Sequence, residues 1–316
     1  MNAILQLDVI QTYEVIEVQC LRFTLTRDHY LPYAELKAEF ISEAFGHGFP
    51  RHAKFYLDDM LLFEGLADHV KIVKKNGRKL VAISAKSYSA ALLDNQPTPG
   101  IYPNATLSSL MSLYHLPYIT YQQNVNQSNY VYVKDNTSMW EMLIHYTYKL
   151  NGGFPYIEGN NHVRVTRHSQ PRLFEIQPEE IISCGTQHDN SRVISRIEMA
   201  DAAGNYGTFS MNNPYAEERN IVRIKQIALD KQYLSHPEYA LTHRIYRSMQ
   251  KIRTTYAEYL GYKGEDLQDH VCFIGFSGGY ADRIEIRGEQ GRLSTKVYHY
   301  HDPFCNCITT PPDSDR

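Results

Sequence analysis

Asn76-Gly77 is the dipeptide that most narrows what this 316-residue chain can become. Both residues tolerate the positive φ that a two-residue type I′ turn needs. On either side apolar residues alternate: Val70 and Ile72 before the turn, Leu80 and Ala82 after it, with Val81 and Ile83 on the opposite face. Residues 64–88 are therefore expected to form a β-hairpin. Asp58-Asp59 supplies a second turn just upstream, and Gly65 would permit a bend or bulge in the strand leaving it. Consecutive antiparallel strands close on themselves more cheaply than they leave an edge, so a small rolled sheet is the first expectation.

Residues 12–18 and 20–27 also alternate, with Leu21, Phe23 and Leu25 against Arg22, Thr24 and Thr26. Residues 34–40 carry an apolar period near two, with a short helix around 34–44 as the alternative, where glutamate and alanine raise helix propensity. Residues 1–95 are thus assigned to a first β-barrel. Three prolines and a glycine then crowd into residues 94–103, which read as a linker.

Beyond it the apolar period changes to that of a helix. Leu107, Leu110, Met111 and Tyr114 form one stripe behind an N-cap signal at Asn104-Ala105-Thr106. Met139, Met142, Leu143 and Tyr146 form another, behind Asp135-Asn136-Thr137 and closed by Gly152-Gly153. Each helix is followed by Pro-Tyr-Ile and a strand, a weak internal duplication. Residues 96–168 are assigned to a small α/β domain. From 170 onward strand signals return, interrupted by a helix expected to run from about 236 to 259, with Leu241, Ile245, Met249, Ile252 and Tyr256 on its stripe. Residues 169–302 are assigned to a second β-barrel carrying that helix, and 303–316 to a C-terminal tail. The fold class expected is α+β, mainly β: two small antiparallel β-barrels with an inserted α/β domain.

A net charge of −3 offers no electrostatic case for nucleic acid, so no DNA contact is expected. No run approaches the roughly 18 apolar residues of a membrane span, and the first ten residues lack a leader's basic start, so folding in the cytoplasm is expected. Five cysteines, an odd number, do not read as a disulfide framework. The 25 tyrosines against a single tryptophan suit broad protein interfaces.

The ligand types at His299, His301, Cys305 and Cys307 suit zinc or iron. Their spacing does not, because Cys-x-Cys is not the usual knuckle. They stand as the only metal candidates, and no metal or cofactor is expected. Glycoside hydrolysis needs two carboxyls across a cleft, but Asp58-Asp59, Glu179-Glu180 and Glu217-Glu218 each lie in a turn or loop signal. No nucleophile elbow or zinc-protease motif is present, and Ser277-Gly278-Gly279 lacks the lysine of a phosphate loop. His243, Arg244, Arg247, Lys251 and Arg253 read as a solvated helix face, and Trp140 as core. No catalytic residue is assigned.

The turn at Asp58-Asp59, then Leu62-Phe63-Glu64-Gly65, then VAISAKSYSAALLDN at 81–95, resembles the first barrel of the phage tail protein D family, the central hub of contractile tail baseplates. GRLSTKVYHYH at 291–301 resembles the closing strand of that family's second barrel. The resemblance implies a non-enzymatic homotrimer in a virion tail or bacteriocin particle. It would join a sixfold tail tube to a threefold central spike among other baseplate proteins, three chains presenting six barrels. A tail-associated peptidoglycan hydrolase or sugar-binding module, and the hub of a long non-contractile tail, are the alternatives.

Overall fold

The computed structural model describes residues 2–9, 15–42, 49–123, 126–234 and 236–301. Seven strands come first: β1 (Ala3–Val9), β2 (Val15–Gln19), β3 (Arg22–Asp28), β4 (Glu35–Ile41), β5 (Pro50–Leu57), β6 (Met60–Lys75) and β7 (Arg78–Ser87). Inward apolar side chains alternate with outward polar ones, as at Leu36, Ala38 and Phe40 on β4 and Val81, Ile83 and Ala85 on β7. Of the two readings of this stretch the strand holds, as β4, and the alternative short helix does not form there. Pairing with β3 and β7 on its two sides outweighs the helix propensity of its glutamates and alanine.

Both turns carry the backbone that their residues predict, with φ of 46° and 68° at Asp58 and Asp59 and 50° and 76° at Asn76 and Gly77. Gly65 serves a different purpose from the expected bulge. The extra residues on β6 are Leu62, opposite the Phe55/Tyr56 step, and Asp68, opposite the Ser84/Ala85 step. A Cβ on Gly65 would sit 2.1 Å from the carbonyl oxygen of Lys86 on β7, so only glycine lets the two strands approach. Gly65→Ala is therefore expected to destabilise the protein by about 3 kcal/mol, since the obstacle is backbone. The midpoint of chemical denaturation measures it.

The chain then leaves the sheet through α1 (Ala91–Asp94), β8 (Gly100–Thr106), α2 (Leu107–Met111), β9 (Thr120–Tyr121), β10 (Gln127–Val133), α3 (Met139–Asn151), β11 (Tyr156–Glu158) and β12 (His162–Arg164). The expected linker is strand from Gly100 onward, pairing only with β10, which is why Pro103 is tolerated there. The α3 helix is capped by the Ser138 hydroxyl, which accepts from the Glu141 amide, and ends at Gly152 in the left-handed conformation. Met139, Met142, Leu143 and Tyr146 pack with Leu107, Leu110, Val131 and Val133 into a core of their own. The strands that follow the two helices, β9 and β11, flank β12.

Next come β13 (Leu173–Ile176), β14 (Ile181–His188), β15 (Arg196–Met199), β16 (Phe209–Asn212), α4 (Pro214–Glu217), β17 (Ile224–Ile227) and α5 (Glu238–Met249). The α5 helix ends at Met249, ten residues before the expected end, and Tyr256 belongs to a strand. With Ile197, Met199 and Tyr233, the α5 residues Leu241, Ile245 and Met249 build a third core. The chain finishes with β18 (Arg253–Leu260), β19 (His270–Phe273), β20 (Ser277–Tyr280), β21 (Arg283–Glu289) and β22 (Arg292–His301). Ser277-Gly278-Gly279 opens β20. A Cβ at Gly278 would meet the Cys272 sulfur at 2.9 Å.

Eleven strands form one antiparallel sheet in the order β14-β18-β22-β21-β3-β4-β7-β6-β5-β1-β2. It is curled, with β2 lying back against β4. The strands assigned from sequence to two separate barrels thus share a sheet, because β21 pairs with β3 in a register that sets Leu25 opposite Ile286. One apolar core runs beneath both parts, from Leu5, Phe55 and Phe63 to Ala257, Ile284 and Val297.

Candidate functional site

Among the described residues, the eleven-stranded sheet ends on two strands that each pair on one side only. At one end is β14, in which Ile181 and Gly185 are half-buried and the other six residues are exposed, including Ile182 at 52%. A strand exposed on both faces gains little from its own chain beyond the ladder to β18. At the other end β2 turns Ile16 and Val18 toward the core and leaves Val15 56% exposed. Such edges are templates for pairing with another chain.

The two parts of the sheet are locked together by the loop between β18 and β19. Asp266 accepts a hydrogen bond from the Arg27 guanidinium at 2.7 Å and from the Gly159 amide at 2.5 Å. Arg27 is buried on β3 and also donates to the Leu62 carbonyl on β6. Asp269 pairs with Arg172 at 2.5 Å. Buried Glu265 accepts from the Tyr259 hydroxyl, and desolvation pushes its carboxyl above the usual carboxylate range. This acidic loop thereby ties β3, β6 and the α3-bearing unit to the last strands.

The basic residues expected on a solvated helix face are largely engaged. His243 is buried, Arg244 pairs with Asp230 at 2.9 Å, and Arg247 pairs with Glu141 on α3. Lys251, beyond the helix, reaches the buried carboxylate of Asp28 at 2.7 Å, which also accepts from the Tyr300 hydroxyl. These charges join the third core to α3 and to the sheet. Sequence reasoning saw the cations on and just beyond α5 but not their partners, which lie on other segments, 14 residues away at Asp230, 106 at Glu141 and 223 at Asp28.

Of the metal candidates, His299 points inward on β22 with both ring nitrogens unpartnered among the described residues, its ring tilted against that of Phe273. Burial pushes its imidazole down to about 4. His301 bonds to the Thr255 hydroxyl at 2.7 Å. Cys305 and Cys307 lie outside the described residues, and among the described residues no three His, Cys, Asp or Glu side chains gather as a metal site. The acidic pairs are turn and cap residues. Asp58 accepts from the Asn2 amide, Glu180 caps its own turn and pairs with Lys263, and Glu218 pairs with Arg219. Trp140 packs in the second core, as expected.

No family model and no curated protein matches this chain. Solved structures do. The tail protein from Neisseria meningitidis MC58 superposes with a TM-score of 0.72 at 12% identity, covering 99% of each chain. The 43 kDa tail protein of prophage MuSo2 from Shewanella oneidensis gives 0.71 at 13% identity, over 94% of this chain and 98% of that one. The E. coli c3393 protein, described as a type VI secretion component structurally similar to the T4 tail proteins gp27 and gp5, gives 0.56 at 9% identity over 93% and 75%. The chain therefore has the fold of phage tail proteins. Its sequence resemblance to the tail hub family and its fold point to the same class.

Proposed function

We propose that this protein is a structural, non-enzymatic hub of a phage or phage-like contractile tail baseplate, acting as a homotrimer between a sixfold tail tube and a threefold spike. The observation that carries this reading is the strand order on either side of the β3–β21 pair. On one side the order is β3-β4-β7-β6 and on the other β21-β22-β18-β14, antiparallel throughout. On each side the second strand of one pair meets the second strand of the other, β4 with β7 and β22 with β18, with the pairs in opposite order along the chain, and a local twofold is the relation this reading assigns to them. Three chains of this kind would present six similar sheets, the match a hexagonal tube requires. In this reading residues 1–95 form the first barrel and 96–168 an inserted α/β domain. Residues 169–302 form the second barrel, carrying the α5 unit in place of a hairpin loop between β14 and β18, and 303–316 a tail.

The free edges at β14 and β2 and the abundant tyrosines supply the contacts. The protein is expected to have a solution mass three times the 36.6 kDa of the chain across micromolar concentrations. Ile182→Lys, which places a charge on the exposed edge strand, should shift that mass toward one chain without changing the circular dichroism. A wild-type protein that stays monomeric at every concentration would sink the proposal.

A further inference from the structure

Between α3, α5 and the β15–β17 pair lies a cleft of about 710 Å³ that neither the sheet nor its edges explain. Lys134, Arg192 and Lys225 stand exposed at its rim, and no carboxylate pairs with any of them among the described residues. Its inner wall holds Arg244 and Arg247, whose charges are shared with Asp230 and Glu141. Two imidazoles lie at the base, His145 at 7% and His243 at 3% exposure, with ring centroids 5.2 Å apart. The Nδ1 of His145, the Nε2 of His243 and the Nε of Arg244 have no hydrogen-bond partner among the described residues. Burial keeps both rings neutral, His145 pushed down to about 4.

Five cations against the two carboxylates of Glu141 and Asp230, with several orphaned polar nitrogens, describe a site for negative charge. We propose that this cleft docks an acidic segment of a neighbouring baseplate protein, with its carboxylates on Lys134, Arg192 and Lys225. A polypeptide fits better than a phosphate. Two of the three first-turn α3 amides that could cradle a phosphate are taken, Met139 donating to the Asn95 carbonyl and Glu141 to the Ser138 hydroxyl. The rim cations spread over three elements instead of converging on one point, and Ile194, Ile197 and Ile227 give the methylene stems of acidic side chains an apolar wall.

This inference rests on the assembly reading for the identity of its occupant, but its test does not. Fluorescein-labelled hexaglutamate is titrated against the full chain by fluorescence polarisation at low salt. Lys134→Glu with Lys225→Glu should weaken binding about tenfold or more, and the double glutamine variant by an intermediate factor. The thermal midpoint should hold, because both lysines are exposed and unpaired. Lys71→Glu with Arg78→Glu, on the distant β6–β7 hairpin, should leave binding within about twofold of wild type. No binding to wild type, equal weakening by the hairpin variant, or pyrophosphate binding at least as tightly as the peptide would each overturn the docking site. A trimer that ignores the peptide removes this inference alone, and a monomer that binds it removes the hub alone.

Discussion

Asp266→Ala is expected to cost 3–5 kcal/mol of folding stability, on the order of a third or more of what a domain this size possesses. Among the described residues the carboxylate is the one that forms an ion pair with Arg27, whose guanidinium is buried between β3 and β6 with its Nε lacking a partner there. Removing it strands a cation away from water and leaves the Gly159 amide without its acceptor. Arg27→Met in the same protein should restore much of the loss, because the variant then buries a methionine instead of an uncompensated charge. A denaturation cycle over the four proteins measures this. Single costs that simply add would show that the pair does not hold the sheet halves together.

Acidification provides the second large effect. His29, His145 and His299 are buried and held neutral, pushed down to about 3, 4 and 4, and His243 is lowered with them. Desolvation is the leading cause in each. Glu141 lies 3.6 Å from His145 but is already engaged by Arg247, so it relieves little of the cost of charging that ring. A histidine whose folded value is depressed contributes stability that is complete above its unfolded value near 6.5 and fades as pH falls through the folded one. Asp282 works in the opposite sense. Burial raises it to about 7, so the stability gained by keeping it protonated is complete below about pH 4 and lost as pH rises to 7. The net loss between pH 7 and 5 should be on the order of 3 kcal/mol, and Asp282→Asn should steepen it by removing the opposing group. Denaturation midpoints at half-unit pH steps decide. A wild-type curve that is flat or rises toward pH 5 would refute the assignment.

The turns were legible in the sequence because they depend on local chemistry. Asn76-Gly77 and Asp58-Asp59 need only their own φ preferences, and Gly152 only its place after a helix. The seam of the sheet was not, since nothing in residues 22–28 identifies 283–289 as their partner. Nor was β14, whose residues Ile181–His188 carry no two-residue period because neither face is buried. A strand with neither face buried lacks the pattern that makes strands readable. The cations on α5 and at Lys251 beyond it were legible as charge, but their acceptors Glu141, Asp230 and Asp28 come from three other segments, so a face that reads as solvated is instead a set of ties. Gly65 was legible as special and misjudged in kind, since a close approach to Lys86 requires knowing the neighbouring strand.

The pairing of β3 with β21 also governs how the molecule is made. During synthesis at 5–20 residues per second, β3 would leave the ribosome roughly 13 to 50 s before the partner that covers its outer hydrogen-bonding edge. For that interval the nascent chain carries an uncapped strand with Phe23 and Leu25 on it, open to other polypeptides. Slow translation or high expression should therefore favour inclusion bodies, and a holdase chaperone bound to the unfinished chain should raise the soluble yield.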